Sequence, residues 1–369
     1  HNGLGYNNLI NIYMLIKLKE LQVGKDFRIL CLEEPEAHLH PAMQYKLFKY
    51  LKKLDAEKKL NQQIFVTTHS SNISAVAGID NMFMMAYNRS VTPQDCINQS
   101  LELQFKDEGE KKQKSEAKKH LAKFLDVTRS DMLFADKVIL VEGIAERLLL
   151  PYFMEKCGYA YEDEHVSIVE IGGKHFEHFV ELFNGNALKK KVLCITDKDF
   201  SWINDEEKFK TWKSYSEDKP THIEELQKRF TFDEFKIITQ NCGGRTFEDE
   251  LFLANCKNIH TATALLKMAL PESLQTTIEL CKLDITKWEE QLSSIDGRSK
   301  HIIENYINRF NSSVKKKKSR FYKNLLFAEL FLHYAKNQKG DMALSILTEA
   351  GSLSLNVPSY IKEGIEWLK

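Results

Sequence analysis

Two stretches of sequence decide the fold of the second half of the chain: Leu133–Glu146, LFADKVILVEGIAE, and residues 192–199, VLCITDKD. In each stretch a short apolar run stops abruptly at acidic residues. A short, continuous apolar run predicts a strand that is buried within a parallel sheet. Because parallel strands end at the same edge of their sheet, we expect Glu142, Asp197 and Asp199 to meet there.

A fourth acid, Glu146, follows Glu142 by four residues. If a helix starts after Gly143, both side chains can converge on one point. Clustered carboxylates repel one another unless a cation neutralises them, and hard oxygen ligands favour Mg²⁺ or Mn²⁺. The pattern therefore predicts metal-assisted phosphodiester chemistry, in which two ions lie about 4 Å apart. The alternative is that each acid is a solvated loop residue or a charge at a helix N-terminus.

The remaining strands and helices predict an α/β fold in several parts. Apolar runs at 137–141, 166–171, 192–195 and 235–238 predict a parallel, Rossmann-like sheet within a domain at 131–250, followed by a helical part at 251–369. The charged stretch from Lys106 to Phe124 predicts a helical connector at 101–130. Within 1–100, a strand at 27–32, a helix from Pro41 and a strand at 64–66 predict a βαβ unit.

The acidic strand ends resemble a known domain. Val141-Glu142-Gly143, the following Glu146 and the Asp197-Lys-Asp199 segment resemble the Toprim domain of topoisomerases, primases and certain nucleases. The wider string Leu133–Glu146 is most similar to the Toprim domain of the overcoming-lysogenization-defect (OLD) nucleases. This resemblance implies that Glu142, Glu146, Asp197 and Asp199 hold metal.

The resemblance also points to an acid and a lysine in the C-terminal half. Residues 246–251, TFEDEL, resemble a family segment that supplies another metal-binding acid, which would be Glu248. The alternative is a helix-capping box formed by Thr246 and Asp249. The family lysine precedes a Phe-Ala pair and stabilises charge on the phosphate. Here Phe327-Ala328 makes Lys323 the candidate.

A second resemblance covers the N-terminal part. The segment at 33–41, EEPEAHLHP, resembles the Walker B motif and D-loop of ABC-type ATPases of the OLD group. The resemblance implies that Glu33 organises Mg²⁺, that Glu34 polarises the attacking water, and that His69 contacts the γ-phosphate of ATP. Gly3 and Gly5 would belong to the signature motif, although a tight turn also explains glycines.

No phosphate-binding loop of the form G-x-x-x-x-G-K-[ST] occurs in the chain. Either this half of the ATPase precedes His1 in a longer protein, or the ATPase is degenerate. We favour the first interpretation, because the sequence starts without Met in the middle of a domain.

Composition limits the possible partners. The 52 basic and 52 acidic residues cancel, which excludes a uniformly basic DNA-binding coat and leaves a local site. Lys174 and the run Lys315–Lys318 are candidates for phosphate contacts, although a solvated surface is the favoured explanation of the run. Seven scattered cysteines without a C-x-x-C pair disfavour a disulfide framework or a zinc module, and we expect a cytoplasmic protein. No apolar run approaches the roughly 18 residues of a membrane span.

The sequence thus favours an OLD-type protein: a metal-dependent DNA endonuclease regulated by an ATPase domain. The resemblance implies DNA, ATP and Mg²⁺ or Mn²⁺ as ligands, a homodimer or higher homo-oligomer, a possible defence partner and a role against phage. A topoisomerase or primase is a second hypothesis, but no tyrosine stands out and no zinc module is evident. The third hypothesis is a DNA clamp or nucleotide-switched scaffold that does not cleave.

Overall fold

The computed structural model describes residues 3–21, 28–56, 62–78, 81–86, 89–91, 123, 125, 127–183, 189–198, 222–282, 287, 304 and 319–369. These residues form two compact units. The first comprises residues 1–136 and 177–190, and the second comprises residues 137–176 and 191–369. The predicted domain limits at 1–100, 101–130, 131–250 and 251–369 stay predictions. The predicted connector between Lys106 and Phe124 lies almost wholly outside the described residues.

The first unit contains the predicted βαβ arrangement. Strand β1 (Arg28–Glu33) pairs in parallel with β2 (Gln62–Thr67), and helix α2 (Pro41–Ala56) connects them. Helix α3 (Ser71–Ala77) follows β2, and a short hairpin is formed by β3 (Met84–Ala86) and β4 (Arg89–Val91). Helix α4 (Val127–Ser130) runs into a 3₁₀ turn at Asp131–Leu133. The core is formed by apolar residues of α1, β1, α2 and α3.

Helix α1 starts earlier than the sequence suggested. A tight turn was the alternative explanation of Gly3 and Gly5, whereas α1 spans Leu4–Leu21 and includes Gly5. The early start has a tertiary cause, because the Asn8 side-chain amide donates to the carbonyls of Pro35 and Ala37 at 3.4 Å each. The first turn of α1 is therefore held against the segment that follows β1.

The second unit contains the predicted parallel sheet. Its strands are β5 (Lys137–Val141), β6 (Val166–Glu170), β7 (Lys191–Ile195) and β8 (Phe235–Ile238), in the order β6-β5-β7-β8. All neighbours are parallel. Strands β5 and β7 are central and buried almost throughout, as their uninterrupted apolar sequences predicted. Together with the N-terminal βαβ unit, this sheet confirms the predicted α/β fold class.

Helices cover this sheet and form one core with it. Helix α5 (Ile144–Lys156) follows β5, and α7 (His222–Arg229) precedes β8. Helix α6 (Phe176–Val180) follows β6, and all of it except Phe176 belongs to the first unit. After β8 the described chain is helical, as predicted: α8 (Phe247–Asn255), α9 (Ile259–Ala269), a 3₁₀ helix (Glu272–Lys282), α10 (Ser319–Ala335), α11 (Lys339–Glu349) and α12 (Ser359–Leu368). Buried residues of these C-terminal helices belong to the same apolar cluster as those of β5, β7 and α5. The helical part and the sheet therefore form one packed body.

No helix among the described residues is long and apolar enough to cross a membrane.

Helix α12 reaches the sheet through a glycine. A Cβ atom at Gly364 would lie 2.6 Å from Ile238 Cδ1 and 3.0 Å from Leu193 Cδ2, both of them in the buried core. Such distances are below van der Waals contact, so the helix can lie this close to β7 and β8 only without a side chain at this position.

We predict that Gly364→Ala destabilises the protein by about 1–3 kcal/mol, because the added methyl overpacks the core. Urea denaturation would show a lower midpoint. Gly351→Ala is the matched control, since a Cβ at Gly351 has no neighbour within 4 Å. Equal midpoints for the two variants would show that α12 does not pack as described.

Candidate functional site

The predicted acidic edge of the second unit is built by strand register. Val141, Ile195 and Ile238 lie side by side at the ends of β5, β7 and β8. Glu142 follows directly after β5. Its Oε2 accepts hydrogen bonds from Thr196 Oγ1 at 3.2 Å and from the Asp197 amide at 3.1 Å. Glu142 is thus held in place by the residues that follow β7.

Glu146 lies in the first turn of α5, after the extended N-cap residue Gly143. It is 2 % exposed. Burial, together with the negative charges of Glu248 and Glu142, raises the pKa of Glu146 from 4.5 to about 7, although the nearby Lys339 opposes the shift. The helix does start after Gly143, as predicted, and Glu142 is near enough to contribute to the raised pKa of Glu146.

Asp197 is 8 % exposed at the end of β7. Burial, followed by the charges of Glu146 and Glu248, raises the pKa of Asp197 well above its usual value. Its Oδ1 accepts a hydrogen bond of 2.6 Å from the side-chain amide of Gln240. No sequence pattern singles out Gln240, because a lone Gln after a strand matches no motif.

The three consecutive acids at 248–250, at the start of α8, have three different environments. Asp249 accepts from the amides of Arg245 and Thr246 at 2.9 Å each and completes the capping box. Glu250 accepts from the amides of Asn241 and Cys242, at 3.0 and 2.6 Å, and fixes the preceding loop. Glu248 is fully buried and close enough to Glu146 and Asp197 to raise their pKa values. The capping box and an acid at the site, weighed above as alternatives, therefore coexist.

Lys339 is the cation of this acidic edge. Its Nζ lies 2.8 Å from Glu248 Oε1. Burial by itself would lower the pKa of Lys339, but the surrounding carboxylates outweigh burial and raise it above its usual value. Lys339 is the first residue of α11, and Gln338 before it donates to the carbonyl of Ala269 at 2.9 Å. Packing of α11 in the core thus places this lysine.

Sequence reasoning had chosen Lys323, which lies half-buried on α10. The signal for Lys339 was present, because Met342-Ala343 follows it by three residues and replaces the expected Phe-Ala with another large apolar residue and Ala. Asp199 and Lys315–Lys318 lie outside the described residues. Lys174 lies in the loop after β6, where Gly172 and Gly173 have positive φ angles.

The acids suit hard divalent cations. The carboxylates of Glu146, Asp197 and Glu248 interact with the Lys339 ammonium group, and Glu142 adds a further negative charge beside Glu146 and Asp197, so the acids outnumber this cation. Among the described residues, Oε2 of Glu146 and Oε2 of Glu248 are buried without a hydrogen-bond partner. Buried carboxylate oxygens of this kind are costly unless a cation or proton satisfies them.

The carboxylates are spread rather than converged. In the described part of the chain, no three of these four acids have oxygen atoms that all lie within 4.8 Å of one another.

The candidate nucleotide residues of the first unit lie at the ends of β1 and β2. Glu33 ends β1, and Glu34 follows with a positive φ of 39°, its amide donating to Thr67 O at 3.0 Å. His69 Nε2 lies 3.5 Å from Glu34 Oε1, and both side chains are exposed. The carboxylate of Glu36 accepts from the His69 amide at 3.0 Å and from the Thr68 hydroxyl. The structure thus brings the predicted Glu34 and His69 together.

The two predicted signature glycines differ in environment. Gly3 precedes α1 and its carbonyl accepts from the amides of Tyr6 and Asn7, while a Cβ there would meet nothing within 4 Å. Gly5 lies within α1, and a Cβ there would lie 2.3 Å from the carbonyl oxygen of His38. The structure therefore gives Gly5 a packing role against the segment after β1, rather than the role of a turn residue.

The raised pKa of Glu146 predicts a pH dependence of stability. The folded state binds this proton more tightly than the unfolded chain, so the free energy of unfolding falls as pH rises from 4.5 to about 7. In EDTA, Glu146→Gln should therefore melt at a higher temperature than the wild type at pH 8, by roughly 2–4 °C for each kcal/mol recovered, and the gain should shrink below pH 6. Differential scanning calorimetry measures both.

Glu155→Gln is the matched control, because Glu155 is exposed on the same helix. It should change the melting temperature little at either pH. A melting temperature of Glu146→Gln that lies equally far below the wild type at both pH values would contradict the buried charge.

Comparison with known proteins agrees with both parts of this description. Residues 133–199 match the family model "Overcoming lysogenization defect protein-like, TOPRIM domain". Residues 1–74 match the model "AAA ATPase domain". The two matches cover the acidic strand ends at Glu142 and Asp197 and the β1–β2 segment with Glu34 and His69.

Relatives and solved structures carry the same family name or a nuclease name. The endonuclease GajA of Bacillus cereus strain HuB5-5 is 25% identical over 99% of this chain and 53% of its own length. The OLD nuclease of Thermus scotoductus is 24% identical over 55% of this chain and 36% of its own length. The C-terminal region of the Burkholderia pseudomallei OLD protein aligns with 64% of this chain and 97% of its own, with 18% identity and a TM-score of 0.39.

The chain spans about half the length, or less, of the curated relatives it matches. Its order of parts, an ATPase segment followed by an OLD-like Toprim domain, is the one that the resemblance predicted. The chain is therefore similar to the overcoming-lysogenization-defect proteins in its Toprim segment, residues 133–199, and carries an AAA ATPase segment at residues 1–74.

Proposed function

We propose that the protein is a metal-dependent DNA endonuclease whose Toprim acids bind two Mg²⁺ or Mn²⁺ ions and which an ATPase domain regulates. The observation that carries the proposal is the acidic edge, in which the buried Glu146, Asp197 and Glu248 and the half-buried Glu142 lie together with the Lys339 ammonium group. The nuclease names of the relatives support DNA as the substrate.

Each residue has a role that follows from its position. Glu142 and Asp197 lie at the ends of the central strands and would hold the ions together with Asp199, while Glu146 and Glu248 complete the ligand set from two helix starts. When bound, the ions supply Lewis-acid activation of water and stabilise the leaving oxygen.

Lys339, rather than Lys323, is the lysine that we assign to the site. Its ammonium group lies among the acids and supplies positive charge where a phosphate would gain negative charge in the transition state. Lys174, in the loop after β6, is a candidate for a contact to the DNA backbone.

Variants of the acids test the cleavage. We expect Glu142→Gln and Asp197→Asn to lower nicking of supercoiled DNA by the full-length protein at least about a hundredfold, and Lys339→Ala to lower it by about 10²–10³. The measurement is nicking with Mg²⁺ or Mn²⁺, with and without ATP. Lys336→Ala is the control for the lysine, because Lys336 is exposed three residues earlier.

A protein that binds DNA in a metal-dependent way but nicks it under none of these conditions would contradict the endonuclease. That outcome would favour the alternative of a DNA-binding or nucleotide-switched scaffold, which shares the acids but performs no hydrolysis. Metal-independent nicking that persists in all acid variants would contradict the two-ion site.

ATP hydrolysis is the second activity that we propose. Glu34, close to His69, would polarise the attacking water, and Glu33 would organise Mg²⁺. The match of residues 1–74 to an AAA ATPase domain supports this assignment.

We expect Glu34→Gln to slow ATP hydrolysis by the full-length protein by about 10²-fold or more, because a neutral amide cannot act as a general base. Release of inorganic phosphate is the measurement. Asp131→Asn, which changes an exposed carboxylate of the same unit, should leave the rate unchanged. An unchanged rate in Glu34→Gln would reject Glu34 as the base.

The family resemblance supports a homodimer or higher homo-oligomer, a defence partner and a role against phage. Phage plating on cells that carry the wild-type gene or the Asp197→Asn variant would test this role. Protection by the wild type alone would support it.

A further inference from the structure

Gln240 occupies the position of β8 that corresponds to Asp197 of β7. The two strands are paired with Ile195 opposite Ile238, and each residue follows its strand end by two positions. The side chains therefore leave the same edge of the sheet next to each other. Gln240 is 1 % exposed, so its amide is shielded from water.

Both ends of the Gln240 amide are engaged. Its Nε2 donates to Asp197 Oδ1 at 2.6 Å, and its Oε1 accepts from the Lys198 amide and from Thr239 Oγ1, each at 3.0 Å. Because a backbone N–H can only donate and a carboxylate can only accept, these partners fix which end of the amide faces Asp197. The carboxylate of Asp197 is held through one oxygen, and its other oxygen is not used by this hydrogen bond.

The neutrality of the donor matters. A lysine or arginine at this position would also hold Asp197, but its positive charge would offset the negative charge that attracts a divalent cation. A glutamate would add one more repelling charge to the buried acids. The amide orients the carboxylate without changing the charge of the site. Tyr360, buried on α12, lies beside Gln240 and Asp197 and closes the other side of this contact.

We propose that Gln240 is a positioning residue for the metal centre: its amide holds Asp197 in the orientation that binds a divalent cation, and so sets the affinity of the site for metal. This inference rests on the proposed two-ion site. It adds a residue outside the acidic motif, one that does not itself bind the ion. Residues that orient a metal ligand in this way typically contribute 10–100-fold to metal affinity.

Direct binding of Mn²⁺ to the full-length protein, followed by electron paramagnetic resonance of the free ion, tests the inference without DNA. Gln240→Met keeps the length of the side chain and removes the donor, and we expect it to raise the Mn²⁺ dissociation constant 10–100-fold. Gln240→Asn keeps the amide but is one methylene too short to join both partners, and it should weaken binding in the same direction. If Gln240→Met does not fold, Gln240→Asn provides the test of the inference.

Asn255→Leu is the matched control for structural damage. Asn255 is a fully buried amide in the same unit, and it bridges Leu251 O and Asn356 O, at 2.8 and 3.0 Å, instead of an acid. We expect this variant to lower the melting temperature but to leave the Mn²⁺ dissociation constant unchanged. If its dissociation constant rises as much as that of Gln240→Met, the effect is one of stability and the inference is overturned.

Asp197→Asn separates this inference from the proposed function. Weaker Mn²⁺ binding in both Asp197→Asn and the Gln240 variants supports both proposals. Weaker binding in Asp197→Asn alone, with Gln240→Met within about threefold of the wild type, overturns the role of Gln240 and leaves the metal site standing. Wild-type affinity in Asp197→Asn overturns both.

Discussion

The burial of like charges at the carboxyl edge of the second sheet is the constraint on which the rest of this unit depends. Glu146, Asp197 and Glu248 are almost completely shielded from water, and burial raises the pKa values of Glu146 and Asp197. Charges in such a place are costly unless they are paired, protonated or bound to a cation. The parallel register of β5, β7 and β8 makes the cluster possible, and the helices that follow close it off from solvent.

Much of the surrounding structure holds these acids in place. Glu142 is fixed by the chain at Thr196 and Asp197, and Asp197 is fixed by Gln240. The start of α8 is held by the cap of Asp249 and by an ion pair between Arg245 and Glu329 on α10. Neighbouring acids thus have different roles: Asp249 caps α8, whereas Glu248 lies beside the acids of the sheet edge. Their positions relative to the sheet, rather than their charge, distinguish them.

The first unit shows a different use of polar residues. Glu34 and His69 lie close together, and both side chains remain exposed. Glu36 holds the end of β2 through the Thr68 hydroxyl and the His69 amide. The first turn of α1 approaches the same segment so closely that only glycine fits at position 5. Backbone packing shapes this edge, whereas buried charge shapes the edge of the second unit.

The sequence by itself determined the elements and the acids at strand ends. Short uninterrupted apolar runs favour buried parallel strands, and parallel strands end at one edge of their sheet, so the positions of Glu142 and Asp197 were expected from local pattern. The start of α1 at Leu4 did not follow, because contacts with residues 35–38, distant in sequence, stabilise its first turn.

Tertiary structure alone decided which residues join the acids. Lys339 lies 91 residues after Glu248, and Gln240 lies 43 residues after Asp197, so neither pair is close along the chain. Lys339 reaches Glu248 because α11 packs into the common core, and Gln240 reaches Asp197 because β8 pairs with β7 in one particular register. Local pattern fixes where a strand or helix ends, but the pairing of side chains at those ends depends on how distant segments pack.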